Sequence, residues 1–174
     1  AYVKFEYDPS ETWDGASLQV TVASSRSGGD TAWYNTPSTY EVKVYGVDSA
    51  SWSESSLTFN SANSSTQGWG LDTSTWPWVP DSGTLLGTID IPTLTSTIGN
   101  TYSLSGDDLD TFLNADSDGD VTFFMVRTDT RTGDNLTFAS KEHGTYAGPT
   151  LRQYSTSCAY PIGYRANGGS GTVP

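Results

Sequence analysis

Apolar and polar residues alternate over several short stretches of the chain, as they do in strands that bury one face. At the start, Val3, Phe5 and Tyr7 alternate with Lys4 and Glu6. Further stretches that read as strands lie at 18–22, 41–47, 57–60, 85–91, 101–104 and 150–154. Asp, Ser, Gly and Pro, which form turns, separate most of them. The pattern predicts short antiparallel strands.

Two stretches depart from simple alternation. The segment 121–128, VTFFMVRT, is the most apolar and is therefore predicted to be a central strand. In the segment 106–114, Leu109, Phe112 and Leu113 follow helical spacing. Many strands with almost no helix predict an all-β antiparallel sandwich, jelly-roll-like, over residues 1–154, with a C-terminal extension at 155–174.

Three segments of the chain, in this order, carry a family resemblance. They are AYVKFE at 1–6, VYGVDSASWSESSLTFNSA at 44–62 and LTFASKE at 136–142, followed by the Gly148-Pro149 turn. The chain resembles the DNRLRE-type domain, a secreted β-sandwich family classed with the carbohydrate-binding modules. The resemblance implies a secreted protein that binds a polysaccharide, such as the acidic glycan alginate. It also implies that Trp52, which belongs to the middle segment, lies in the core.

Composition narrows the functional class. The chain has 174 residues and a net charge of −12, with 15 Asp among its 20 acidic residues. This charge argues against nucleic acid or an anionic membrane as the partner. No run approaches the roughly 20 apolar residues of a membrane span. Abundant Ser, Thr, Gly and aromatic residues are typical of an extracellular or cell-surface β-protein, and the single cysteine, Cys158, forms no intrachain disulfide.

Catalysis finds little support in the sequence. His143 is the only histidine, and it lies in a Glu-His-Gly turn without a nucleophile motif nearby. Most acidic residues lie in turn-like stretches, although paired carboxylates cannot be recognised from spacing alone. We therefore expect a non-catalytic protein in which His143 is a surface residue.

Acidic residues around Gly119 suggest a Ca²⁺ site. Asp116, Asp118 and Asp120 alternate through a tight turn, as carboxylates do in short Ca²⁺ loops. The EF-hand spacing fails, because the twelfth position holds Arg127 instead of Glu. The acidic stretch Asp107-Asp108-Leu109-Asp110 is close enough in sequence to contribute ligands. The alternative is a solvated acidic turn without a metal.

Three tryptophans, Trp69, Trp76 and Trp78, lie in the irregular stretch 60–83. Long loops of this kind are commonly functional. Exposed indole rings stack on sugars, so these residues are candidates for glycan binding. The alternatives are that they cover one end of the sandwich or anchor a neighbouring subunit.

The tail suggests self-assembly. The DNRLRE-type family has a strand or hairpin before the segment that corresponds to 1–6, and this chain begins at that segment. The tail carries apolar residues, Tyr160, Ile162, Tyr164 and Val173, within a Gly/Ser-rich sequence. Such a segment can fill the open sheet edge of another copy, as in donor-strand complementation. The sequence therefore predicts a homopolymeric filament or tube, with a carbohydrate-binding module as the alternative.

Overall fold

The computed structural model describes residues 1–25, 39–48, 52, 71–72, 79–80, 83–92, 97–128, 136–154 and 162–165, with backbone only at 25, 71–72, 79 and 162–165. Within these residues, the strands are β1 (Tyr2–Glu6), β2 (Ala16–Ser25), β3 (Thr39–Asp48), β4 (Leu71–Asp72), β5 (Val79–Pro80), β6 (Thr84–Pro92), β7 (Thr101–Ser105), β8 (Asp120–Arg127), β9 (Leu136–Phe138), β10 (Thr150–Gln153) and β11 (Ile162–Arg165), and one helix is α1 (Asp107–Ala115). Two antiparallel sheets confirm the predicted all-β sandwich, and β4 and β5 pair separately. The predicted strand at 57–60 lies outside the described residues.

The first sheet has the strand order β1-β8-β3-β6. The apolar strand β8 lies between β1 and β3, which confirms its predicted central position. Its six middle residues are all buried, because both faces of this strand are covered. Strand β1 is an edge strand that pairs with β8 from Tyr2↔Phe124 to Glu6↔Asp120.

The second sheet has the order β11-β10-β2-β7, and β9 pairs with the far end of β2. Strand β2 is long enough to pair with β10 through Ala16–Gln19 and with β9 through Val22–Ser25. Strand β11 forms the edge beyond β10. It also lies beside β1 of the first sheet, so the edge strands β1 and β11 share one side of the sandwich.

The inner faces of the two sheets form the core. Alternate residues of β2 and β3, among them Leu18, Val20, Val42 and Val44, are at most 2% exposed. Phe5 of β1 packs edge to face on Phe123 of β8 at 5.8 Å between ring centroids. Burial of alternating apolar side chains is the main stabilising contribution in this architecture.

Trp52 is buried, but on the outer face of the first sheet instead of between the sheets. Its side chain packs edge to face on Tyr2 at 5.7 Å, and Tyr2 stacks on Phe124. Tyr2 and Phe124 are paired in register on β1 and β8, one residue out of phase with the core residues Val3 and Phe123. Trp52 is therefore buried, as the family resemblance implies, and the surface that buries it is the outer face of the first sheet.

Helix α1 covers one end of the core. Leu109 and Leu113 are buried, as their helical spacing predicts, and Phe112 lies against Gly46 of β3, where a Cβ atom would be only 2.7 Å from its ring. Asp110 accepts hydrogen bonds from the backbone N–H groups of Gly15 and Ala16, which ties the helix to the start of β2. The same end of the sandwich carries the acidic turn that follows the helix.

Within the described ranges, no helix has the length and apolar character needed to cross a lipid bilayer.

Candidate metal centre

Three carboxylates lie close together at the turn between α1 and β8. Asp116 and Asp118 lie in the turn between these elements, and Asp48 is the last residue of β3. Asp48 is paired in register with Val121, the second residue of β8, and this pairing brings it to the turn. One oxygen from each of the three carboxylates lies within 4.8 Å of the other two. We call Asp48, Asp116 and Asp118 the acidic triad.

Asp116 is the buried member of the triad, with 8% of its surface exposed, whereas Asp48 and Asp118 are exposed. Its Oδ2 accepts a hydrogen bond of 2.7 Å from the N–H of Gly119. Its Oδ1 is buried and accepts no hydrogen bond from the described residues. A buried carboxylate oxygen without a donor is uncommon, since desolvation of a charged group is costly.

Gly119 holds the turn against β1. The N–H of Tyr7 donates a hydrogen bond of 2.9 Å to the carbonyl of Gly119. Gly119 has a φ of 81°, and a Cβ atom at this position would collide with the carbonyl oxygen of Tyr7. Only glycine fits both constraints without a shift of the backbone. The turn is thereby fixed to the ends of both β1 and β8.

Tyr7 borders the triad without neutralising it. Its hydroxyl donates its single proton to the carbonyl of Leu113 at 3.1 Å. Burial raises the pKa of Tyr7 well above its usual value, and the nearby Asp116, Asp48 and Asp118 carboxylates raise it further. The hydroxyl therefore stays protonated and neutral at physiological pH.

Negative charge accumulates at the triad. Burial is the main cause that raises the pKa of Asp116, the nearby Asp48 and Asp118 add to the rise, and the hydrogen bond from the Gly119 N–H opposes it. In the described part of the chain, no basic side chain forms an ion pair with any of the three carboxylates. Three clustered carboxylates repel one another, and a divalent cation would remove that repulsion.

The structure brings together only part of the predicted ligand set. Asp116 and Asp118 belong to the triad, whereas Asp107, Asp108 and Asp120 do not. Asp120 accepts a hydrogen bond of 2.8 Å from Lys4 Nζ. Asp107 and Asp108 are exposed at the start of α1, where acidic residues stabilise the helix terminus.

Asp48 was not among the residues expected from the sequence. It lies 68 positions before Asp116, in the VYGVD segment, and no local spacing connects the two. The register of β3 against β8 is what brings them together. Only a correct prediction of that register would have identified it.

The other predicted site residues are described only in part. Trp69, Trp76, Trp78, Tyr160 and Val173 lie outside the described residues. Ile162 and Tyr164 lie in β11, where they pair in register with Gln153 and Leu151 of β10. The segment that was expected to join neighbouring subunits thus contains a strand that pairs within its own chain.

His143 is exposed, as predicted, and its Nδ1 accepts hydrogen bonds from the N–H groups of Thr145 and Tyr146. The imidazole also stacks on the ring of Tyr146 at 5.1 Å. These contacts give the side chain a structural role in the turn between β9 and β10.

A pocket of about 190 Å³ lies beside β1 and the segment that follows β9. Its lining is mainly apolar and includes Val3, Met125 and Phe138, and its polar side chains include Ser140 and Lys141. It is smaller than typical ligand sites.

No protein-family model matches the chain, and no similar sequence is found among curated proteins, so the resemblance to the DNRLRE-type domain stays a hypothesis that rests on three segments.

Proposed function

We propose that this protein is a non-catalytic extracellular structural protein, the self-assembling subunit of a surface filament or tube joined by exchange of a C-terminal strand. The observation that supports this proposal best is the position of β11. This four-residue strand lies at the edge of its sheet and pairs with β10 from Thr150↔Arg165 to Gln153↔Ile162. Because β10 is its only partner among the described strands, β11 can leave its place without separating any other pair of described strands.

The connection before β11 is long enough for exchange. Gln153 and Ile162 are register partners, and eight residues, 154–161, join them. A two-residue turn would suffice for a hairpin. Eight extended residues span about 27 Å, enough for β11 to reach the β10 strand of an adjoining copy. The pairs formed between copies would be the same as those formed within one chain, so exchange costs little enthalpy.

The side of the sandwich that carries β11 also suits contacts between copies. Among the described strands, β1 pairs only with β8 and β11 only with β10, so both leave backbone groups on their outer edges without a strand partner. Both edges lie on the same side of the sandwich. Natural proteins cover such edges, and polymerisation is one way to do so.

Cysteine variants that can form a disulfide only between chains test the proposal. Arg152 and Gly163 are Cα partners on β10 and β11. In a Cys158→Ser background, Arg152→Cys protein is mixed with Gly163→Cys protein, and the mixture is oxidised at rising concentration. Strand exchange predicts a disulfide-linked heterodimer on a non-reducing gel, because paired strands have the Cα separation that a disulfide needs. Electron microscopy of the protein without these substitutions should then show filaments or tubes.

A matched control replaces Arg152→Cys by Thr111→Cys, which lies exposed on α1. This mixture should give no more than background cross-linking. Cross-links at equal yield in both mixtures, or dispersed monomers by microscopy at every concentration, would overturn the proposal. If filaments form without the disulfide between positions 152 and 163 of different chains, the protein assembles, but not by exchange of β11.

A carbohydrate-binding module is the second candidate, and one surface of the second sheet favours it. The outward positions of β2, β7 and β10 carry mostly Ser, Thr and Gln, of which Ser17 and Thr21 are buried. Tyr154 is 45% exposed beside them, and its hydroxyl accepts a hydrogen bond from Gln19. Polar side chains around an exposed aromatic ring suit a sugar. A glycan screen on monomeric protein, repeated with Tyr154→Ala, tests this function; neutral glycans are the better probes because the protein carries a charge of −12.

A further inference from the structure

We propose that the acidic triad of Asp48, Asp116 and Asp118 binds one Ca²⁺ ion and that this ion fastens the end of β3 to the turn that starts β8. The proposal does not depend on assembly, since all three ligands belong to one chain and to described elements.

The spacing of the triad suits one ion. One oxygen from each carboxylate lies within 4.8 Å of the others. Oxygens bound to the same Ca²⁺ at 2.3–2.6 Å can be at most about 5 Å apart. The three groups can therefore share an ion with small side-chain adjustments, and water or backbone carbonyls would complete the six to eight ligands that Ca²⁺ takes.

The buried oxygen of Asp116 is the independent indication of a ligand. The residue is 8% exposed, and its Oδ1 accepts no hydrogen bond from the described residues, although Gly119 serves the other oxygen. The hydroxyl of Tyr7 lies close to Asp116, and it donates its hydrogen bond of 3.1 Å to the carbonyl of Leu113. A bound cation would be a partner for Oδ1 of Asp116 and would offset the cost of its desolvation.

Electrostatics favour the same conclusion. In the described part of the chain no Lys or Arg pairs with the triad, whereas the neighbouring Asp120 is paired with Lys4. Lys4 thus neutralises Asp120, whereas no described Lys or Arg neutralises the three carboxylates of the triad. The triad offers only oxygen ligands, without sulfur or imidazole, and such ligands suit a hard cation. Because one ligand comes from the end of a strand and two come from a turn, the site suits the flexible coordination of Ca²⁺ better than the strict octahedral coordination of Mg²⁺.

The test is calcium chloride titrated into metal-free protein, followed by calorimetry and by thermal unfolding. We expect one ion per chain and a rise in Tm of about 5–10 °C when Ca²⁺ is about 100 times its Kd. Asp48→Asn and Asp118→Asn should weaken binding about tenfold or more, because each removes a charged ligand. Both residues are exposed, so these variants are expected to fold.

Asp107→Asn is the matched control. It removes the same charge from an exposed residue that lies outside the triad, so its Ca²⁺ affinity should equal that of the unchanged protein. In chelator, Asp48→Asn should be at least as stable as the unchanged protein, since one repulsive charge is gone. The absence of any Ca²⁺ response in the unchanged protein, or equal affinity losses in Asp48→Asn and Asp107→Asn, would overturn the site. A larger response to MgCl₂ than to CaCl₂ would overturn the choice of ion.

Discussion

The indole nitrogen of Trp52 donates a hydrogen bond of 2.9 Å to the hydroxyl of Thr122, and both side chains are buried on the outer face of the first sheet. Thr122 is 0% exposed and lies in the most apolar strand of the chain, where a hydroxyl needs a partner. The bond holds Trp52 against β8. It also explains a Thr within the VTFFMVRT run.

Thr122→Val should lower the free energy of unfolding by about 1–3 kcal/mol, because it leaves the buried N–H of Trp52 without an acceptor. In a Trp52→Phe background the same substitution should cost far less, since the donor is gone. Urea unfolding followed by circular dichroism measures both steps of the cycle. An equal loss of unfolding free energy in the two backgrounds would show that the loss does not come from the hydrogen bond between Trp52 and Thr122.

Gly119→Ala should destabilise the protein by about 2–4 kcal/mol, the sum of a left-handed backbone for a residue with a Cβ atom and a collision with Tyr7. Two further glycines separate these causes. Gly106 also has a positive φ, 138°, but open space around its Cβ position, whereas Gly144 has open space and no positive φ. The loss of stability measured in chelator should decrease from Gly119→Ala to Gly106→Ala to Gly144→Ala, and any other order would contradict the explanation.

Asp110→Asn should cost about 1–3 kcal/mol of unfolding free energy. The carboxylate accepts one hydrogen bond from Gly15 and one from Ala16, at 2.9 and 2.7 Å. An amide can accept only one of these, and its NH₂ group would face the other N–H donor. Chemical denaturation measures the loss.

Asp108→Asn serves as the comparison for Asp110, because the residue lies exposed on the same helix. Its loss should stay below about 1 kcal/mol, the usual contribution of an acidic residue to a helix N-terminus. Equal losses for the two variants would mean that the effect comes from helix charge and not from the bonds to β2.

The sequence was sufficient to predict the β-sandwich, because the alternation of apolar and polar residues along a strand shows which of its side chains are buried. The positions of β1, β3, β8 and α1 follow from residues such as Val3, Phe5 and Leu109, whose spacing matches one face of a strand or helix. The faces were harder to assign. Trp52 lies on the outer face because Thr122 and Phe124 provide a covered surface there, and nothing in the local pattern around Trp52 indicates that surface.

The acidic cluster shows where sequence spacing fails. Neighbours along the chain such as Asp118 and Asp120 have different partners, because the strand that begins at Asp120 places its side chain beside Lys4. Asp48 joins the cluster through pairing between β3 and β8, a tertiary relation. Clusters of acidic residues can therefore be predicted from sequence only to the extent that strand register can.

Lys4 and Asp120 provide the last prediction, which separates an ion pair from a metal ligand. Lys4 Nζ lies 2.8 Å from Asp120 and 3.7 Å from Glu6, and the Lys4 side chain is 13% exposed. Because Asp120 is 37% exposed, solvent screens the pair. The coupling energy in a Lys4→Met/Asp120→Asn cycle should be about 0.5–1 kcal/mol and should shrink in 1 M salt.

Asp120→Asn should also leave the rise of Tm with Ca²⁺ unchanged, since Lys4 holds this carboxylate and the triad does not include it. Glu6→Gln, which removes the more distant carboxylate, is the control for loss of charge near Lys4. A lost Ca²⁺ response in Asp120→Asn with a normal response in Glu6→Gln would mean that Asp120 leaves Lys4 to bind the ion. The whole turn from Asp116 to Asp120 would then be the metal-binding loop, as the spacing of its residues first suggested.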